Sequence, residues 1–236
     1  KHLLLRVAGS YEGSVTTDEL IPSGEASSFR SNPEKISEYT MISRDKDYVG
    51  WAKAVREMER QRQAWAAAGR MSEKPGTTEN QDGAYANGLK NILSVLCTRE
   101  QCGLEDILIG SAMVSQQIGD GSSREQAASC QKVLGGFANI ANEYATKRYR
   151  SNLINWGILP LRTEKDLKLP TDTWIFIRNI RQVIEEKQDT VKLQILSLPE
   201  EGGVEASGTL ECTLDNLTED ERKILLAGSL INYYKG

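Results

Sequence analysis

Apolar and polar positions follow two different rhythms along this chain. Leu3 to Ala8 is a mainly apolar run ended by Gly9-Ser-Tyr-Glu-Gly13, which predicts a short strand; Ser14 to Leu20 predicts a second extended piece leading into Pro22-Ser-Gly24. Asn32-Pro33 supplies an N-cap and a proline at the first helical position, opening a short helix to about Tyr39. Asp45 can cap a longer one, in which Tyr48, Trp51, Val55, Met58, Arg62 and Trp65 recur at spacings of three and four. That single stripe predicts ordinary packing against a core. Gly69 to Gly83 has no periodicity and is rich in Gly, Ser, Thr, Asn, Pro and charge, so it reads as an exposed mobile loop between two helices.

The second half changes pace. Ala84 to Cys97 reads as a helix, Asp106 to Ile109 as a brief strand, Ser123 to Val133 as a helix, Gly135 to Ile140 as a strand, and Ala145 to Asn155 as a helix ended by Gly157. Strands alternating with helices argue for parallel βαβ pairing. After Pro170, Trp174–Ile177, Thr190–Ile195 and Gly208–Cys212 show strand-like alternation and predict an antiparallel or mixed, barrel-like sheet. Thr218-x-x-Glu221 spells a capping box, and the helix it opens carries Ile224, Leu225, Leu226, Leu230 and Ile231 toward a core. Periodicity alone thus gives a mixed α/β chain, read as one domain over residues 1–236.

Composition removes several classes of function. With 39% hydrophobic and 26% charged residues the chain has the balance of a globular protein, and no apolar run approaches the roughly 18 residues of a membrane span. A net charge of −4 offers no general attraction for phosphate backbones. The one basic run, Lys147-Arg148-Tyr149-Arg150, reads as a solvated helix face, so nucleic acid is not the expected partner. The four cysteines, Cys97, Cys102, Cys130 and Cys212, read as reduced, structural or incidental thiols in a cytoplasmic setting; Cys97-x4-Cys102 shares one interval with an iron–sulfur pattern whose other cysteines are missing. His2 is the single histidine, placed where the chain is expected to be mobile, which leaves no histidine acid, base or metal triad. A start at Lys1 rather than Met suggests a piece of a longer polypeptide.

Two segments carry the chemistry. In Gly121-Ser122-Ser123-Arg124 a glycine turn runs straight into a helix start, where unpaired N–H groups and the positive end of the helix dipole favour an anion, and Arg124 adds a planar fork suited to a carboxylate. The competing reading is a capping box, Ser122-x-x-Glu125, that needs no ligand. The other segment is Val15-Thr-Thr-Asp18, with Arg30 twelve residues after Asp18.

Taken together these segments resemble the C-terminal "swivel" domain of the aconitase family, in which a Thr-Thr-Asp with a following Arg and a Gly-Ser-Ser-Arg-Glu loop line one side of a tricarboxylate site. A third stretch, Asn152-Leu-Ile-Asn-Trp-Gly157-Ile-Leu-Pro-Leu161, resembles the same family's segment. The resemblance implies a swivelling β/β/α domain with a barrel-like sheet flanked by helices. It also implies roles: Ser122 as the base that removes the substrate's α-proton, Ser123, Arg124 and Arg30 as carboxylate-binding groups, and Asp18 as the acid that orients the arginines. Asn152 and Gly157 to Leu161 are read as structural.

By the same resemblance the activity is hydro-lyase isomerisation of a hydroxy-tricarboxylate of the citrate/isocitrate type. A four-iron, four-sulfur (4Fe-4S) cluster and a histidine acid are expected on companion domains, and this chain alone is expected to hold no cofactor and to be inactive. Glu19-Leu20 stands where many aconitases have His-Ile, and Ser23-Gly24-Glu25 where many have Ala-Gly, which leaves the substrate open. The alternatives are a free-standing small subunit, as in isopropylmalate or homoaconitate isomerases, and a non-enzymatic RNA-binding module.

Overall fold

The computed structural model describes residues 1–22, 24, 28, 29, 31–71, 82–198 and 203–235, with the side chains of 82–87 left aside. Most of the expected mobile loop, residues 72–81, therefore lies outside the described residues, as does Arg30. Among the described residues seven strands close into a ring in the order β1-β2-β3-β4-β7-β6-β5. They are β1 (His2–Thr16), β2 (Ile107–Asp120), β3 (Gly136–Tyr144), β4 (Leu159–Arg162), β5 (Trp174–Ile177), β6 (Thr190–Ser197) and β7 (Glu205–Thr213). β1 through β4 pair in parallel, and every remaining pairing, β5 to β1 included, is antiparallel. The expected mixed, barrel-like sheet flanked by helices is thus the observed fold.

The parallel half is built from crossovers. α5 (Arg124–Val133) joins β2 to β3, α6 (Lys147–Asn155) joins β3 to β4, and a helical excursion of α1 (Thr17–Leu20), α2 (Pro33–Ser37), α3 (Tyr48–Ala67) and α4 (Asp82–Glu100) joins β1 to β2. Strands buried on both faces explain why β1 reads as a continuous apolar run. Leu3, Leu5 and Val7 point into the barrel with Ala112, Val114, Ala138 and Ile140. The alternate residue Leu4 joins Val55, Trp65, Ile92 and Phe176 beneath α3 and α4. Ala8 and Val15 join Tyr48, Ala128, Tyr149 and Leu153 on the third side.

Local signals act as read in most places. Asn32 Oδ1 accepts from Lys35 N–H at 3.1 Å, Asp45 Oδ1 accepts from Tyr48 N–H at 3.2 Å, and, beyond α7 (Ile180–Glu185), the Thr218–Glu221 capping box closes at the start of α8 (Glu219–Ala227). α6 ends at Gly157, whose φ of +68° and close approach to the Gly228 carbonyl turn the chain into β4. The two pieces expected at the N-terminus are one bulged strand, because register shifts after Val7, Tyr11 and Val15 absorb the glycines without ending the pairing. The strand expected at Asp106–Ile109 runs on to Asp120, carried by buried Ser111 and Ser115.

Two further expectations are corrected. His2 is not at a mobile end: it is 2% exposed, accepts at Nδ1 from Asn179 N–H at 3.2 Å and stacks on Phe176, and burial pushes its pKa down. Ile231, on α9 (Leu230–Lys235), is 57% exposed rather than turned to the core, whereas Ile224 is buried and Leu225, Leu226 and Leu230 pack against the barrel as read. No helix among the described residues is long and apolar enough to cross a membrane.

Candidate active site at the rim of the parallel strands

In open parallel sheets, ligand sites form beyond the carboxyl ends of the strands. Here the ends of β1 and β2 are level, since Thr16 pairs with Asp120, and Ile118 of β2 pairs with Tyr144 near the end of β3. β1 therefore delivers α1, and β2 delivers the Gly121–Ser123 turn and α5, to one rim. Asp18 lies exposed on α1; Ser122 lies exposed on the turn; Ser123 and Arg124 are half-buried at the head of α5.

The two segments touch through a residue with no side chain. Gly121 has φ +124°, and a Cβ built on it would lie 1.9 Å from Thr17 Oγ1. Only glycine allows that approach. Gly119, at φ +93°, is pressed against the Tyr149 ring, and the Tyr149 hydroxyl is held by Gln131 and Asn139, so the floor of the turn is fixed by a buried polar network.

The α1 side is braced separately. Thr16 caps α1 through Glu19 N–H at 3.3 Å, while Glu19 Oε2 accepts from Thr16 N–H at 2.6 Å. Arg44 donates to Glu19 Oε1 at 3.1 Å, to the Ser14 carbonyl at 2.6 Å and to the Glu12 carbonyl at 2.5 Å, and lies over the Tyr11 ring. Burial alone would raise the Glu19 pKa, but the hydrogen bonds from Thr16 and the Arg44 charge bring it below the usual carboxylate value. Neither Glu19 nor Arg44 was singled out for this role from the sequence. Thr16-x-x-Glu19 does spell a capping box, so the signal for Glu19 was present. No local pattern announces Arg44.

The capping box of the competing reading, Ser122-x-x-Glu125, does not form. Ser123 is the N-cap residue, and its side chain makes no capping hydrogen bond. The first turn of α5 thus presents N–H groups that no side-chain cap occupies, beside an Arg124 whose buried Nε has no hydrogen-bond partner; Thr17 Oγ1 is likewise buried without one. A donor-rich, cationic helix start of this kind is suited to an anion. Asp18, Ser122, Ser123 and Arg124 are therefore gathered at one rim. Arg30 belongs to the residues outside the description. A separate cleft of about 450 Å³, lined by Ser10, Tyr11, Gln116, Lys168 and Thr171 among others, contains none of these residues.

The basic run of α6 breaks up on folding. Tyr149 is buried, and Arg150 is spent on the carbonyls of Leu214 and Asp215 and on Glu221, which leaves Lys147 and Arg148 exposed. The cysteines do not form a ligand set: Cys97 and Cys102 sit at the end of α4, while Cys130 and Cys212 are buried in two other clusters. Among the described residues no group of three or more His, Cys, Asp or Glu is placed to hold a metal ion.

Comparison with known proteins agrees with the resemblance. Residues 104–166 match the family model of the aconitase C-terminal domain, a stretch holding β2, the Gly121–Arg124 turn, α5, β3, α6 and β4. Aconitate hydratase A of Pseudomonas aeruginosa is 28% identical over 234 residues, covering 97% of this chain and 24% of that protein. Aconitate hydratase A of Rickettsia bellii is 25% identical over 233 residues, 97% of this chain and 25% of that protein. The chain thus spans about a quarter of the length of these curated relatives. Among solved structures, a 3-isopropylmalate dehydratase from Methanocaldococcus jannaschii shares the fold with a TM-score of 0.52 at 20% identity, covering 100% of this chain and 94% of that one.

Proposed function

We propose that this chain, similar over residues 104–166 to the aconitase C-terminal domain and along its length to aconitate hydratase A, is the swivelling domain of a multidomain hydro-lyase that isomerises a hydroxy-tricarboxylate of the citrate/isocitrate type by dehydration and rehydration. The observation that carries the reading is the contact of Gly121 with Thr17, which brings the Asp18 segment and the uncapped Ser122-Ser123-Arg124 helix start to one rim.

In this reading the substrate's carboxylate lies against the first N–H groups of α5 and the Arg124 fork, with Ser123 adding a hydroxyl donor. The Ser122 oxygen takes the α-proton. A serine is a weak base unless its alkoxide is stabilised, and the helix dipole together with Arg124 supplies that stabilisation within the same turn. Arg30 is assigned a second carboxylate, and Asp18 the orientation of the guanidinium groups. The cysteines here, spread over three clusters, do not fit a 4Fe-4S cluster, which companion domains would hold. A cytoplasmic setting accompanies this assignment.

The test is made on the whole protein that contains this chain. Ser122→Ala should lower kcat by about 10²–10⁴-fold with little change in KM, as expected for loss of a positioned base. Arg124→Lys should raise KM, because an ammonium cannot reproduce the two parallel hydrogen bonds. Formation of the alkene acid from citrate, isocitrate and 3-isopropylmalate is followed by ultraviolet absorbance, the third substrate being included because the fold is shared with a 3-isopropylmalate dehydratase. Unchanged kcat in Ser122→Ala on every substrate turned over would overturn the assignment.

A further inference from the structure

The C-terminus of α4 ends in a motif that brings two cysteines together. Gln101 adopts φ +51°, Gln101 N–H donates to the Thr98 carbonyl at 3.4 Å, and Cys102 N–H donates back to the Cys97 carbonyl at 3.0 Å. This pair of bonds, with a left-handed residue between them, is the Schellman closure of a helix, and its geometry places the side chains three residues before the cap and two beyond it in contact. In most proteins those positions hold hydrophobic residues. Here both are cysteine.

Both thiols are half-exposed, and both pack against the cluster beneath α3 and α4. Each sulfur bears on the other's titration, Cys102 raising Cys97 and Cys97 pulling Cys102 down against the burial that raises both, so Cys102 is the sulfur favoured as thiolate. Cys130 and Cys212 are fully buried in other clusters and cannot reach them without unfolding.

We propose that Cys97 and Cys102 are a reversible dithiol–disulfide pair, oxidised by hydroperoxides. The Cys102 thiolate attacks the peroxide O–O bond, taking one oxygen as a sulfenic acid while the other leaves as water after protonation. The Cys97 sulfur then displaces the hydroxyl: one S–S bond forms, the S–OH bond breaks and a second water leaves. Two thiols lose two electrons and two protons, and one hydrogen peroxide is reduced to two waters. The product staples the last turn of α4 to the residue two positions before the 3₁₀ turn (Leu104–Asp106) that feeds β2, the strand that ends at the Gly121 turn.

Burial raises both thiols, Cys97 to about 11, so the pair is slow at neutral pH and its rate should climb about tenfold per pH unit below the thiol pKa.

The full-length protein is treated with hydrogen peroxide at pH 7 and pH 8, blocked with N-ethylmaleimide, digested with trypsin and mapped by mass spectrometry. Cleavage after Lys90, Arg99 and Arg124 places the two cysteines on separate peptides, 91–99 and 100–124. The expected product is these two peptides joined, about tenfold faster at pH 8 than at pH 7 and released by dithiothreitol. Cys97→Ser should leave a Cys102 sulfenic acid that dimedone traps. Recovery of both peptides singly alkylated after prolonged peroxide, their irreversible conversion to sulfinic acids, or pairing of either with Cys130 or Cys212 would overturn the proposal. Because the wild-type map is itself decisive, a variant that fails to fold does not protect the idea.

Discussion

Replacing Gly121 with alanine tests the join between the two halves of the rim. The new methyl would lie 1.9 Å from Thr17 Oγ1 and 3.2 Å from Thr17 Cβ, on a backbone at φ +124° that L-residues avoid. The backbone conformation costs about 1–3 kcal/mol. Overpacking adds roughly 1–3 kcal/mol. The middle of the summed range is about 4 kcal/mol, or a fall in Tm of roughly 8–16 °C for a chain of this size. The Thr17 hydroxyl is the colliding atom and is buried without a partner, so Thr17→Ala deletes it without orphaning another group. Alone, that change should cost about 1 kcal/mol for the lost methyl contact. Combined with Gly121→Ala it should return the steric share and leave the backbone share. Urea unfolding of the wild type, both single variants and the double variant, followed by tryptophan fluorescence, gives the coupling directly. If Gly121→Ala costs less than about 1 kcal/mol, or the two changes add within about 0.5 kcal/mol, the contact does not hold the rim together.

Two further predictions concern proton linkage. Glu19 has its folded pKa below the unfolded value of about 4.3, so its contribution is complete above that pH and is lost as pH falls through the folded value; Glu19→Gln should lower the urea midpoint at pH 6 and match wild type near pH 2, and an equal deficit at both would refute the clamp. Lys132 is largely buried, and burial pushes its ammonium down to about 8 despite the Phe137 ring 3.7 Å from Nζ. Between that value and the unfolded one of about 10.4 the unfolded chain holds more protons, so stability should rise with pH across this window; Lys132→Met should be more stable than wild type at pH 7 and should flatten the rise in thermal melts.

The parts of the fold that were legible were those whose cause is local. Asn32-Pro33, Asp45, Thr218-x-x-Glu221 and Gly157 act through neighbours within a few positions, and each does what its chemistry requires. The strand lengths were not legible, because what continues them is remote: Ser115 is buried in β2 with its hydroxyl donating to the Gly13 carbonyl, a partner 102 positions away. Glycines in β1 looked like breaks, yet the space at Gly9 is filled by the Tyr11 ring, and the strand bulges instead of ending. The site was legible as two motifs but not as a geometry. That Gly121 meets Thr17, that Ser123 rather than Ser122 heads α5, and that Arg44 pins the α1 turn depend on the crossing of β1 with β2. The misreading of His2 has the same origin, since its partner Asn179 lies 177 positions away.

The ring is laced unevenly. β4 and β7 share one register pair, Arg162 with Thr213, reinforced by the Arg162–Asp215 ion pair and a bond from the Thr163 hydroxyl to the Glu211 carbonyl. Above that stitch the outer margin of β7 carries exposed Glu205, Ser207 and Glu211. Two such margins brought side by side would press carboxylate on carboxylate, so the barrel can leave its hem partly undone without inviting a second copy to sew itself on.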